Sequence, residues 1–451
     1  MSRTREVAAH GLADEHGALH VAARHDALFL DLDGVIYRGD RVIEGVPDVL
    51  RRLRGTGSKL LFITNNSSKT PEQVAAKLAD MGIEARPEEV LTSALATASM
   101  LRRESYEGKD AFVVGERGIV EALRAVGIRT VDGLVQDPGG GSVDLVVVGW
   151  DRSVDYDKLR TASLLVERGA RLVATNPDTS YPAPDGLWPG AGAILAAITA
   201  TTGATPTIVG KPARPMFESA IEHTAARNPL VVGDRLDTDV AGAAAMGLDS
   251  LLVLSGASRP SDLLGTHLAP TYVGDSVSAM LEEVPPARFR PAGPQDVEAV
   301  STLLERSGLS ATGLERRLAE TLVCPLPPRT GPDKATPNPP GAAGNAASDT
   351  EAIAATVCVE QLGGFGLLRS LAVRKDVRRK GLGVLAVAAG VRMARHGGLR
   401  AMALLTETAA PFFEALGFRS VLRAELPRAI ATSSQAAEEC AESAAAMLLE
   451  L

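Results

Sequence analysis

From Ala27 onward, short apolar runs alternate with stretches of helical spacing, and this alternation constrains the fold more than any other feature of the 451-residue chain. Ala27–Leu30, Lys59–Ile63, Ala111–Val114, Val143–Val148, Arg171–Ala174, Pro206–Val209, Leu230–Val232 and Ser250–Leu254 read as buried strands. Between them Val46–Leu53, Pro71–Met81 and Pro215–Ala225 carry helical spacing, with Pro at or near their starts. Strands without polar interruption, separated by helices, specify an α/β unit whose parallel sheet is covered on both faces. Such a sheet gathers its ligand-binding groups at the C-terminal ends of its strands.

The alternation stops near Val284-Pro285-Pro286, a hinge, and a second unit begins. Arg288-Phe289-Arg290-Pro291 reads as a strand, and Asp296 as the N-cap of a helix over Val297–Arg306. Cys324 to Asp349 is rich in Pro, Gly, Ala, Asn and Thr without hydrophobic period, so a flexible insertion is expected there. Order returns at Ala354–Glu360. With 47 basic against 55 acidic residues the net charge is −8, which disfavours nucleic acid and anionic lipid as partners. Aromatic residues make up only 4%, too few for base-stacking platforms. No apolar run reaches the roughly 18 residues of a membrane span, and Met1 to His25 reads as a loose, charged tail rather than a secretory signal. Cys324, Cys358 and Cys440 are too scattered for a disulfide framework and fit a reducing cytoplasm.

Four strand ends carry chemistry. After Leu28-Phe29-Leu30 come Asp31 and Asp33, whose i, i+2 spacing sends both carboxylates the same way, with Gly34 permitting a sharp exit. Crowded carboxylates repel unless a cation sits between them or one holds a proton, and Mg²⁺ suits an all-oxygen site. A calcium loop would need further oxygen ligands at fixed spacing and a preceding helix, where this chain has a strand. Thr64-Asn65-Asn66-Ser67-Ser68 offers a hydroxyl, amides and backbone N–H groups as an anion cradle, though on its own such a segment reads by default as a cluster of capping groups. Lys211 follows Ile208-Val209-Gly210, and Asp234 and Asp239 follow Val231-Val232-Gly233.

In order and position, these segments resemble the four motifs of the haloacid-dehalogenase (HAD) superfamily of phosphatases, over roughly residues 26 to 281. The placement of Asn176-Pro177-Asp178, Pro189-Gly190-Ala191-Gly192 and Thr238-Asp239-Val240 is similar to the subgroup of 4-nitrophenyl phosphate, phosphoglycolate and glycerol-phosphate phosphatases. The resemblance implies a Rossmann-like core at 26–83 and 205–284 and an α/β cap at 84–204, behind a tail at 1–25. It also implies Asp31 as nucleophile, Asp33 as general acid and base, and Mg²⁺ on Asp31, the Asp33 carbonyl and Asp234. Thr64, Asn65 and Lys211 would hold phosphate oxygens, with Asp239 orienting Lys211 or a metal-bound water. Asn176 and Asp178 read either as contacts to a polyol or as an Asx turn before Pro177. Glycerol 3-phosphate is the favoured ester, with phosphoglycolate, pyridoxal phosphate and sugar phosphates open. Similar phosphatases dimerise through their caps, so a homodimer is an open expectation.

In the second unit a strand ending at Val373 runs into the basic turn Arg374–Lys380, then Gly381, Gly383 and the helix Val384–Arg395. Successive N–H groups at such a turn suit a pyrophosphate. The pattern resembles the acetyl-CoA-binding motif of the GNAT acetyltransferases, with an α+β fold over 286–451 and an insertion at 324–350. It implies acetyl-CoA on Val373, Arg378, Arg379, Lys380, Gly381 and Gly383. Two departures stand out: the insertion breaks the β2–β3 hairpin, and Phe412 and Phe413 occupy a helix that often offers a Tyr general acid, leaving Glu360 as a candidate base. The expectation is therefore a Mg²⁺-dependent phosphomonoesterase with an accessory GNAT-like unit. The alternatives are an acetyltransferase of a small amino-acid-like acceptor with a secondary HAD unit, and a non-catalytic C-terminal module.

Overall fold

The structure, a computed structural model, describes residues 20–131, 143–183, 185–327, 352–433 and 443–451. These fall into two compact units, His25–Ser250 on one side and Met1–Arg24 with Leu251–Leu451 on the other.

In the unit His25–Ser250 the expected alternation is realised. It opens with β1 (Ala27–Leu30), α1 (Val46–Gly55), β2 (Leu60–Thr64), α2 (Pro71–Asp80), β3 (Val90–Thr92) and α3 (Ser93–Arg103). There follow β4 (Asp110–Val114), α4 (Arg117–Ala125), β5 (Arg129–Val131), β6 (Leu145–Val148), α5 (Tyr156–Glu167) and β7 (Arg171–Ala174). The unit continues through α6 (Ala191–Thr202), β8 (Thr207–Ile208), α7 (Arg214–Thr224), β9 (Pro229–Gly233) and α8 (Ala241–Met246). Local chemistry starts the helices: at α2, Thr70 accepts from Gln73 N while the Gln73 side chain answers to Thr70 N, and Pro71 follows as first helical residue.

The strands form two parallel sheets. In the first, β9, β1, β2 and β3 lie side by side, with Leu30 opposite both Val232 and Phe62, and Thr64 opposite Thr92. That register brings the C-terminal ends of β9, β1 and β2 to one rim. The second sheet runs β8-β7-β6-β4-β5. Its side chains alternate by the two-residue period of a strand. Ala111, Leu145, Val147 and Val173 pack toward α3 and share a core with Phe29, Leu61 and Ile63, while Phe112, Val114, Val146 and Val148 pack with Ile194 and Leu195 of α6. The sheets divide the chain differently from the expected cap limits of 84 and 204. β3 belongs to the first sheet and β8 to the second. Both are short, three and two residues, so backbone pairing rather than an apolar run decides where they go.

In the other unit β10 (Asp249–Val253) pairs in parallel with β11 (Tyr272–Gly274) through Leu251–Val253. A seven-stranded mixed sheet follows. Along the chain come β12 (Arg290–Pro291), α9 (Val297–Arg306), β13 (Thr321–Pro325), β14 (Ile353–Leu362) and β15 (Phe365–Val373). Then come α10 (Leu382–His396), β16 (Ala401–Thr406), α11 (Ala410–Ala415), β17 (Arg419–Val421) and β18 (Ala445–Glu450). β15 and β16 are parallel and pair only at Gly366–Met402 and Leu367–Ala403, beyond which they part.

Three expectations change here. Asp296 does not cap α9; it accepts from Gly293 N and pairs with Arg290, closing the short turn before the helix. Cys324 and Pro325 lie in β13, with Cys324 opposite Ala355, so irregular chain begins later than 324, and residues 328–350 of the expected insertion lie outside the described residues. The tail closes before residue 25, since Val21 and Ala22 are buried and Val21 N donates to Glu282 O at 3.0 Å. Among the described residues no helix is long and apolar enough to cross a membrane.

Candidate active site

Asp31 leaves the end of β1 with its N–H donating to Val232 O at 2.9 Å, which pins the nucleophile candidate against β9. Lys211, delivered by the loop after β8 and almost fully buried, places Nζ 2.6 Å from Asp31 Oδ1 and 2.7 Å from Asp239 Oδ1. Asp234 follows β9 directly. Carboxylate oxygens of Asp31, Asp234 and Asp239, all buried, lie within 4.8 Å of one another. Asp33 stands exposed beyond them, and Gly34, at φ +79°, makes the turn that takes the chain away.

The electrostatics of this cluster are out of balance. Three carboxylates gather round the Lys211 ammonium, and the Arg235 guanidinium, paired with Asp237, also acts on Asp234, so negative charge is in excess in a site withdrawn from water. Burial pushes the Asp31 carboxyl well above its ordinary range; Lys211 pulls it down, and Asp239 and Asp234 push it further up. Burial alone would strip the Lys211 proton, but Asp239 and Asp31 hold it on and raise the ammonium above its usual value. Asp33 is also raised, by desolvation against the opposing pull of Lys77, Lys211 and Lys69. A divalent cation on hard oxygen donors offsets the excess, and Mg²⁺ fits the residues present.

Asn65 does something other than expected. Its Oδ1 accepts from Lys211 N at 2.8 Å, and its Nδ2 donates to Lys211 O and Asp178 Oδ2, both at 3.0 Å. The amide is thus engaged by the Lys211 main chain and by Asp178, in the loop between β7 and α6. Its carbonyl accepts from Ser93 Oγ and Asn176 Nδ2, each at 2.7 Å. Asn176 is buried in that lattice, and its Oδ1 accepts from Asp178 N at 3.1 Å, which forms the Asx turn. Asp178 stays partly exposed, with a carboxyl lifted by burial against the Asn65 hydrogen bond. Thr64 is buried at the rim, its Oγ1 accepting from Asn66 N at 3.1 Å. Ser93 and Arg235, whose N–H donates to Asp239 Oδ2 at 3.3 Å, were not singled out by sequence reasoning. Their signal is the position itself, one residue past the end of β3 for Ser93 and two past the end of β9 for Arg235.

In the other unit Val373, Arg378, Arg379, Lys380, Gly381 and Gly383 all line one cavity of about 700 Å³ where β15 and β16 part. Arg378 Nε donates to Val373 O at 2.8 Å. Glu360, the candidate base, is engaged by Arg369 Nη1 at 3.1 Å and is not among the lining residues.

A haloacid dehalogenase-like hydrolase model matches residues 28–129, a HAD-hydrolase-like model residues 208–280, and an acetyltransferase (GNAT) model residues 316–418. The acid sugar phosphatase of Staphylococcus aureus is 37% identical over 263 residues, 58% of this chain and 98% of its own. A glycerol phosphate phosphatase of Mycobacterium tuberculosis in complex with magnesium covers 89% of this chain and 98% of its own, at 29% identity and TM-score 0.65. A p-nitrophenyl phosphatase of Archaeoglobus fulgidus covers 58% of this chain and 99% of its own, at 31% identity and TM-score 0.53. The chain belongs to the haloacid dehalogenase-like hydrolases, as an enzyme of their phosphatase type with a GNAT-family domain at its C-terminal side.

Proposed function

We propose that the chain is a Mg²⁺-dependent phosphomonoester hydrolase that works through an aspartyl-phosphate on a small ester, glycerol 3-phosphate or a similar polyol or sugar phosphate. The observation that carries this reading is Asp31 at the end of β1, 2.6 Å from the buried Lys211 ammonium and inside a carboxylate cluster.

An Asp31 oxygen attacks phosphorus as the ester P–O bond breaks, and Asp33 gives its proton to the departing alkoxide. Asp33 then takes a proton from water, whose oxygen attacks phosphorus and releases inorganic phosphate from Asp31. The raised Asp33 carboxyl suits a group that must carry the first proton. Asp31, the Asp33 carbonyl and Asp234 would hold Mg²⁺, which neutralises charge between carboxylate and phosphate dianion. Lys211 and Thr64 hold the non-bridging oxygens, and Asp239 keeps Lys211 charged and aimed. The substrate class is supported by the named activities of the similar phosphatases.

The test is turnover across a panel of phosphate esters, in Mg²⁺ and in EDTA, with Asp31→Asn beside the wild type. Hydrolysis of glycerol 3-phosphate or a sugar phosphate, lost in EDTA and in the variant, is expected. Undiminished turnover by Asp31→Asn defeats the assignment.

A further inference from the structure

A general acid marks the side on which the leaving group departs, so a side chain that shares the surroundings of Asp33 meets that group. Tyr181 is such a side chain. It lies in a hairpin of two antiparallel strands, Ser180–Ala183 and Gly186–Pro189, opposite Trp188. The hairpin is rooted beside the catalytic cluster. Gly190 N donates to Thr179 O at 3.0 Å and Gly192 N to Asp178 O at 2.8 Å, and Asp178 is held by the Asn65 amide that also holds Lys211. The Tyr181 ring is fixed: it stacks on Trp150 with centroids 4.5 Å apart and planes at 28°. Trp150, two residues past β6, in turn donates Nε1 to Pro189 O at 3.0 Å. The Tyr181 hydroxyl, by contrast, has no hydrogen-bond partner among the described residues. Neighbouring polar groups are taken: Arg152 by Glu116 at 2.7 and 3.2 Å, Asn176 by the Asn65 carbonyl, and Asp178 by the Asn65 amide. Burial, and after it the Asp33 and Asp40 carboxylates, keep the Tyr181 phenol protonated against the pull of Arg152, so it can both donate and accept. Tyr37, bridged to Asp33, has its own phenol raised by burial and then by Asp33, Asp31 and Tyr181, so both tyrosines stand on the Asp33 side.

We propose that the Tyr181 hydroxyl, held in place by the Trp150 stack, binds the leaving-group end of the ester and selects small leaving groups that carry hydroxyls. The inference rests on the phosphatase reading and names what that site prefers. Its magnitude follows from exposure. A sealed site built to hydrogen-bond a hydroxyl rejects an analogue lacking it by about 10⁴-fold or more, because its polar groups are left unpaired. Tyr181 is only half-buried, so water can replace a missing hydroxyl, and the preference falls to that of one neutral hydrogen bond, about tenfold. A site with this single handle accepts a range of small polyol and sugar phosphates.

The experiment compares full-length wild type with Tyr181→Phe, which keeps the ring and its stack and removes only the hydroxyl. The probes are glycerol 3-phosphate and n-propyl phosphate, the same three-carbon ester without hydroxyls, and the quantity read is the ratio of their kcat/KM values. If either ester turns over too slowly to follow, the ratio is taken from their inhibition constants against 4-nitrophenyl phosphate. Tyr181→Phe is expected to lower the glycerol 3-phosphate to n-propyl phosphate ratio about tenfold, with the melting midpoint unmoved. An unchanged ratio, through no loss or through equal loss on both esters, overturns the inference, since a structural role affects both alike. A wild type that favours n-propyl phosphate overturns it as well and leaves the phosphatase reading standing. A wild type that hydrolyses none of the three esters defeats the phosphatase reading itself, and this inference with it.

Discussion

Replacing Lys211 by Met keeps the volume of a buried chain while removing the one ammonium, among the described residues, that pairs with Asp31 and Asp239, at 2.6 and 2.7 Å. Removing one partner of a buried ion pair costs about 3–5 kcal/mol, because the remaining charges lose compensation that water cannot supply. Here three carboxylates would remain within 4.8 Å of one another, so the cost should sit at the upper end unless protons or a metal offset it. The pH dependence follows in sign. Asp31 already titrates above its ordinary value, and without Lys211 the opposing pull disappears, so the native state binds more protons than the unfolded chain. Stability of Lys211→Met in EDTA should therefore fall as pH rises from the ordinary carboxylate range toward the raised folded value. Mg²⁺ should restore more of the melting midpoint in the variant than in the wild type, since it meets a larger excess of negative charge. On activity, loss of one charge-stabilising donor costs about 10²–10³ in kcat. The assay is melting across pH in EDTA and in Mg²⁺, with kcat on an aryl phosphate. Wild-type kcat in Lys211→Met, or a variant that melts as the wild type does at every pH, would refute the electrostatic reasoning.

Other consequences are independent of that one. Asn65→Ala removes both bonds to the Lys211 main chain and the one to Asp178, so kcat should fall while KM changes little, and the melting midpoint should drop by the equivalent of about 1–3 kcal/mol; a variant changed only in KM would make Asn65 a substrate ligand after all. Burial works to raise the Glu89 carboxyl, but hydrogen bonds from Arg54 and Arg86 prevail and hold it at about 2. Its contribution, on the order of 2 kcal/mol after solvent screening, is full above the unfolded value near 4.5 and lost as pH falls toward 2. Glu89→Gln should flatten the acid side of the stability profile, and an unchanged slope would count against the pair.

The rim of Asp31, Thr64 and Asp234 was legible because each follows an apolar run, and parallel register converts strand ends into neighbours; Lys211 also follows one, but its strand β8 belongs to the second sheet, and register alone does not bring it there. Leu30 opposite Val232 and Phe62 is the physical form of that inference. The Asn65 amide was not legible, since its partners lie more than a hundred positions away and no local pattern says which way it turns. β3 escaped notice because a strand of three residues leaves no hydrophobic period. Helix α9 was read to its ends, yet Asp296 was given the wrong partner, because a carboxylate before a helix can serve either the helix or a neighbouring turn. Gly381 illustrates the same limit: its close approach to the Val273 main chain is set by packing, and no local pattern announces it.

The central claim concerns which atom attacks phosphorus, and trapping the intermediate tests it most directly. Enzyme quenched in acid during turnover of glycerol 3-phosphate and reduced with borohydride should carry homoserine at position 31, abundant in Mg²⁺ and absent in EDTA. Modification at Asp33 instead, or none at either carboxylate while phosphate is still released, would contradict the account.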